Sequence, residues 1–360
     1  MTDLTILAGK TAYQKIKDGG LSAQDIGAVI GASGAAKWLA IYGLDCAIFG
    51  HWLKDLERPV TLYGTSIGAW KLAAASRTDP IAAMEQLAEV YTQQRFTKKT
   101  SKNDVLVGAN QIIESFLPAG SEQEIISNPN LRYSCGIMRS LGGFATDSTA
   151  GIVRGMAGGF MRNFAGRQYL KPYIERYVFH DPRSLPGLSA SDGIACNHVA
   201  LSEQNMQKVV LAAGSIPYML PAVENIPGAP VGLYRDGGLL DYHPLMNFLP
   251  GDDRLALYPH FYDYFIPTWF DKKFKKRHLH HHIPELDNVV LLAPSRSFVE
   301  KLPYQRIPDR KDFKAMIHQY DDRVKFWNTT QQRSHQLGDQ FMEAVISGKI
   351  RDHVQLIPAA

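Results

Sequence analysis

Short apolar runs bounded by small or turn-forming residues alternate along this chain with segments whose apolar positions recur at helical spacing. Residues 26–31 (IGAVIG) are an uninterrupted apolar run followed by small residues, the pattern of a buried strand entering a tight turn. Residues 35–49 then place Leu39, Tyr42, Ile48 and Phe49 at helical intervals, with Ala40 and Leu44 between them. Residues 59–63 read as a second buried strand, 67–76 as a small-residue helix, and 80–95 as a helix with Pro80 at a permitted N-terminal position. Further strands are expected at 131–137, 174–179, 231–235, 254–258 and 289–292, and a short buried helix at 205–214. From about 309 to 350 the pattern turns polar and helical, with Gly348 as a C-cap.

The recurring strand–turn–helix order predicts an α/β fold, three-layered α/β/α with a mostly parallel central sheet. No internal repeat, low-complexity tract or linker divides the chain, so residues 1–360 are expected to form a single domain. The stretch 96–190 is the least regular and is the expected place for a cap or insertion.

Composition narrows the function classes. Hydrophobic residues are 45% and charged residues 21% of the 360, ordinary globular usage. A formal charge of +4 is too small to argue nucleic-acid binding without a clustered basic face. Cys46, Cys135 and Cys196 show neither disulfide nor zinc spacing, which favours a reducing compartment. The first twenty residues carry an acid at position 3 and no apolar signal-peptide core. No uncharged apolar run approaches the ~18 residues a membrane span needs. A cytoplasmic protein, at most peripheral at a membrane, is expected.

Candidate chemistry sits at three places. Gly64-Thr65-Ser66-Ile67-Gly68 lies between a predicted strand and a predicted helix, the setting of a G-x-S-x-G nucleophile elbow. The sharp turn leaves no room for a β-carbon two residues either side of the serine, and the following helix offers free N–H groups to an oxyanion. Gly31-Ala-Ser-Gly-Ala-Ala-Lys37 is a second small-residue turn. It fails as a P-loop, because Ala36 and Trp38 stand where Gly and Ser or Thr are needed, and as a dinucleotide fingerprint, because G-x-G-x-x-G is absent. A loop of backbone oxyanion donors is the reading that survives. The third place, Arg235-Asp236-Gly237-Gly238, is by itself better explained by a plain turn, but downstream of an elbow serine Asp236 is a candidate base.

Together these residues resemble the patatin-like phospholipases. The resemblance rests on the loop Ser33-Gly-Ala-Ala-Lys37-Trp38, the elbow at 64–68, and the block from Val210-Leu-Ala-Ala-Gly-Ser-Ile-Pro217 to Asp236-Gly237-Gly238 and His243-Pro244-Leu245. It covers residues 26–93 and 195–250. It implies a Ser66–Asp236 dyad without a catalytic histidine, Gly34, Ala35 and Ile67 as backbone oxyanion donors, and Gly64, Gly68, Gly237 and Gly238 as supports. It implies a lipid ester substrate, and neither cofactor nor metal. Ser33, Ala35 and Trp38 stand where that family carries glycines, so the loop would be costly if it required φ > 0 at Ala35. Tyr242 replaces an asparagine common beyond the D-G-G.

Three other readings compete. A Ser–His–Asp triad is formally available through His243, His318, His335 or His353. An acyltransferase would share every site residue. A lipid-binding protein with impaired turnover would also account for the altered glycines.

Two peripheral segments bear on partners. Residues 151–173 mix apolar side chains with Arg154, Arg162, Arg167 and Lys171 and no acid, suiting either an anionic membrane surface or a cap with snorkelling arginines. Residues 258–277 are aromatic first and basic afterwards, ending in Lys272, Lys273, Lys275, Lys276 and Arg277, a pattern that suits a solvated face or an anionic surface. His278, His280, His281 and His282 lack the spacing of a structured metal site.

Overall fold

The computed structural model describes residues 3–359. In chain order its elements begin with β1 (Leu4–Ala8), α1 (Lys10–Gly19), β2 (Ile26–Gly31), α2 (Tyr42–Ala47), β3 (Val60–Thr65), α3 (Ile67–Ala75), α4 (Pro80–Gln93), α5 (Lys102–Phe116) and α6 (Glu122–Ser127). There follow β4 (Leu131–Ser140), α7 (Thr149–Ala165), β5 (Ile174–His180), β6 (Cys196–Ala200), α8 (Glu203–Gly214), β7 (Val223–Glu224), β8 (Leu233–Asp236) and β9 (Leu255–Pro259). The chain closes with β10 (Val289–Pro294), α9 (Arg296–Glu300), α10 (Asp312–Ala315), α11 (Tyr320–Ile346), α12 (Ile350–His353) and β11 (Gln355–Leu356).

One eleven-stranded sheet runs β11-β1-β10-β9-β2-β3-β4-β5-β6, with β8 on β4 and β7 on β8. The stretch β10-β9-β2-β3-β4 is parallel throughout. Its strands β2, β9 and β10 are buried along their whole length, as a parallel sheet covered on both faces requires. Helices flank it, giving a mixed α/β protein of three-layer α/β/α form.

Strand β4 is the longest and takes three partners, because ten residues outrun the six of β3. Its first half pairs in parallel with β3, up to Thr65 opposite Gly136. Its second half, on the same edge, pairs antiparallel with β8, starting at Asp236 opposite Ile137. Thus β3 and β8 run head to head along one edge of β4, and their C-terminal ends meet. Both β4 and β5 come from the stretch 96–190, which also holds α5, α6 and α7.

Two expectations change in detail. Residues 35–52 are not one helix but a 3-10 stretch, then α2, then a π-helical turn. The segment starts from a left-handed Ala35 and is buried almost throughout, so packing dictates its winding. The C-terminal helix begins at Tyr320 rather than near 309, because residues 309–312 are tied elsewhere: Asp309 pairs with Lys37, and Asp312 binds Arg306 and Trp327.

Candidate active site

Ser66 is the turn between β3 and α3. Its backbone sits at φ 54, ψ −133, a conformation an L-residue holds only when its surroundings force it. The forcing comes from backbone packed on backbone. Gly31 and Gly64 lie side by side in the register of β2 and β3. Gly68, the second residue of α3, rests on both: a β-carbon on Gly68 would stand 2.3 Å from the Gly31 carbonyl, and one on Gly64 2.6 Å from that of Gly68. Only glycine fits such an approach.

The Ser66 hydroxyl donates a 2.7 Å hydrogen bond to Asp236 Oδ2. The other oxygen, Oδ1, accepts the Gly238 N–H at 2.7 Å. A β-carbon on Gly237 would lie 2.3 Å from the Gly136 carbonyl oxygen, and one on Gly238 2.2 Å from Ser33 Oγ. Both D-G-G glycines are therefore contact points of the Asp236 turn.

That turn and the small-residue loop are tied together by groups that motif matching does not single out. Thr65 Oγ1 donates to the Asp241 carbonyl at 2.8 Å, which leaves it free to accept the Ser33 hydroxyl at 2.9 Å. The Ser33 N–H reaches the Tyr242 carbonyl at 2.9 Å, and the Tyr242 N–H the Pro267 carbonyl. With Tyr242 in place of an asparagine, backbone bonds hold the loop. Ser33, a departure from the glycine pattern, is one of its fasteners.

Gly34 is extended (φ −171), whereas Ala35 is left-handed (φ 51), the costly case for alanine. The N–H groups of Gly34, Ala35 and Ile67 reach no acceptor among the described residues. Gly34, Ala35 and Ile67 line the space beside Ser66.

Burial pushes the Asp236 carboxyl up to about 6, although the Ser66 hydroxyl and the Gly238 amide pull the other way. At neutral pH it is still an anion, and a stronger base than an exposed aspartate. Histidine plays no comparable part. His243 is fully buried and accepts the Ile266 N–H on Nδ1 at 2.9 Å, while its Nε2 has no partner among the described residues. Burial, and then the neighbouring His260, hold it well below the usual imidazole range, so it is neutral. None of His243, His318, His335 and His353 lines the space beside Ser66. His278 and His280 stack on Tyr264, and His282 pairs with Asp287.

Two cavities meet at Ser66. One, of about 90 Å³, is walled by Trp70, Tyr91, Phe96, Ile112, Met219 and Phe313, among other apolar side chains. The other, of about 70 Å³, holds Asp236 and is rich in cations: Lys37, Lys272, Arg310 and Lys311 stand against Asp236 and Asp309. Lys37 is buried and ion-paired with Asp309. Among the described residues Lys272 has no carboxylate partner, and it lies 4.6 Å over the Tyr242 ring. Burial, with the Lys37 charge adding to it, lowers its ammonium to about 7. Arg310 lines both cavities, at their junction. In the sequence Lys272 is one of a basic run, and nothing marks Arg310; only the fold brings them to the serine.

No protein-family model and no curated protein matches this chain. Among solved structures, human GIVD cytosolic phospholipase A2 aligns at 10% identity and a TM-score of 0.34, over 95% of this chain and 63% of that one. The chain thus spans less than two thirds of that structure's length.

Proposed function

We propose that this chain is a serine hydrolase of lipid esters in which Ser66 is the nucleophile and Asp236 its only side-chain partner. The observation that carries the reading is the 2.7 Å bond from the Ser66 hydroxyl to a buried carboxylate, on a serine held in strained backbone at a helix start. Such an arrangement has the parts of covalent ester cleavage: a positioned hydroxyl, a base matched to near-neutral pH, and unpaired amides for developing charge.

In the first half-reaction Asp236 takes the hydroxyl proton as Oγ bonds to the ester carbonyl carbon. The carbonyl oxygen gains negative charge, which the Gly34, Ala35 and Ile67 amides receive. Collapse breaks the bond to the alcohol oxygen, and Asp236 returns the proton to that leaving group. Water then repeats the sequence on the acyl-Ser66 ester and releases a carboxylic acid. The apolar cavity suits the acyl chain. The cationic one suits an alcohol portion bearing negative charge, with Lys272 and Arg310 lining it and, among the described residues, holding no carboxylate partner.

Ser66→Ala and Asp236→Asn should each lower turnover of an esterified lipid at least about thousandfold. A fluorophosphonate should label intact protein at Ser66 and fail to label Ser66→Ala, as read by mass spectrometry. Near-normal turnover in either variant, or labelling elsewhere, would sink the reading.

A further inference from the structure

The two peripheral segments of the sequence, far apart in the chain, form one surface in the fold. Helix α7 buries Ile152, Gly155, Gly159 and Asn163 on one face and turns Val153, Phe160, Met161 and Phe164 outward. Met161 is 67% exposed, Phe164 62% and Val153 52%, unusual values for large apolar side chains that recur on one helical face. Segment 269–277 packs beside this face. Phe274 lies 5.5 Å from the Phe160 ring and 6.2 Å from the Phe164 ring, and Arg277 donates to the Asn163 carbonyl at 3.0 Å.

Around the apolar knobs stand exposed cations: Arg154, Arg162 and Lys171 from the helix side, and Lys273, Lys275 and Lys276 from the other. Residues 148–173 contain no acid, and 268–282 only Asp271. That acid is buried against Arg277 and Asn163, so its charge is spent inside the protein. The same segment reaches the cationic cavity: Trp269 and Lys272 line the space that holds Ser66 and Asp236, a few residues before the exposed lysines.

We propose that this face docks on an anionic lipid surface, with Met161, Phe164 and Val153 entering the headgroup region and the lysines and arginines meeting lipid phosphates. Isolated apolar knobs inside a ring of flexible cations fit a bilayer better than a protein groove. A second copy of the chain is a poor occupant, because a two-fold contact through this patch would set cations against cations with no acid to meet them. Docking here brings the mouth beside Trp269 and Lys272 close to the lipid. The inference rests on surface chemistry and does not require that Ser66 be active, so binding and turnover are measured separately.

The experiment is co-sedimentation of the full chain with phosphatidylcholine vesicles, and with vesicles of phosphatidylcholine and phosphatidylglycerol in about equal parts, at low and high salt. Binding should be strong only to the mixed vesicles at low salt. Lys275→Glu and Lys276→Glu should each lower it at least about fivefold, and Phe164→Ser at least about tenfold. Ser66→Ala should bind as the parent does, which keeps a failure of docking distinct from a failure of the hydrolase reading. The thermal transition of each variant excludes misfolding. Equal binding to both vesicle types, or binding that survives all three patch substitutions, overturns the proposal. So does a salt-resistant dimer that Phe164→Ser dissociates, since the occupant would then be a second copy.

Discussion

Asp236 carries two opposed demands in one side chain. Burial raises its carboxyl to about 6, which makes it a better proton acceptor but also a costly anion to keep. If it is the base, kcat/KM for a soluble ester should rise tenfold per pH unit below about 6 and level off above it, as a pH–rate profile would show. The stability effect has the reverse sign. Because the folded-state value lies above that of an unfolded aspartate, ionisation weakens the fold as pH climbs through 6. Asp236→Asn should therefore be more stable than the parent at pH 8, by on the order of 3 kcal/mol, with the gap closing below pH 4. Paired melting curves across that range check this. A variant less stable at pH 8 would mean that the carboxylate is better satisfied than its burial implies. Ser66 and Ala35 add strain of the same local kind, each at φ above 50.

At the scale of elements, the elbow helix is pinned by a buried charge. Lys71, in α3, donates 2.8 and 2.9 Å bonds to both oxygens of Asp45 in α2, and both side chains are sealed from solvent. Burial pushes the Asp45 carboxyl up while Lys71 opposes it. Lys71→Met should cost about 3–5 kcal/mol at pH 7 and less in acid, where Asp45 takes a proton; Lys71→Met with Asp45→Leu should recover most of the loss. Thermal melts of the three proteins decide it. What was legible in the sequence divides along the same line. Strands β2, β9 and β10 are continuous apolar runs and β3 is broken only by threonine, and the three motifs sit beside strand ends, so the sheet and the neighbourhood of Ser66 with Asp236 could be read locally. Strand β1 and helix α1 escaped, because the opening stretch is short and mixed and takes its place by pairing with the distant β10 and β11. The Lys71–Asp45 pair, the Ser33–Thr65 tie and the approach of Lys272 and Arg310 escaped for a stronger reason. A lone lysine or threonine has no periodicity, and its partner is chosen by the fold.

For the molecule as a whole, Ser66 meets Asp236 because two strands share one edge of β4, and that edge is braced from outside. Asp241, five residues past Asp236, takes the Arg176 guanidinium on β5 at 2.7 and 3.0 Å and also pairs with Arg167, beyond the end of α7. Asp192 binds both arginines. Because the Asp241 carbonyl also receives Thr65, the network joins β5 and the end of α7 to the residues flanking Ser66 and Asp236. Arg176 is almost fully buried, so Arg176→Met would leave Asp241 and Asp192 with Arg167 as their remaining cation, beside the Ile194 N–H on Asp192. The expected cost is about 3–5 kcal/mol, on the order of 4–7 °C in Tm. Turnover of a soluble ester should fall with it at temperatures where the protein remains folded. Arg139→Met provides the contrast from the neighbouring strand: its bridge to Glu175 is partly exposed and should be worth less than about 1 kcal/mol. If the two variants melt alike, the network is a bystander, and the strand ends alone set the distance between hydroxyl and carboxylate.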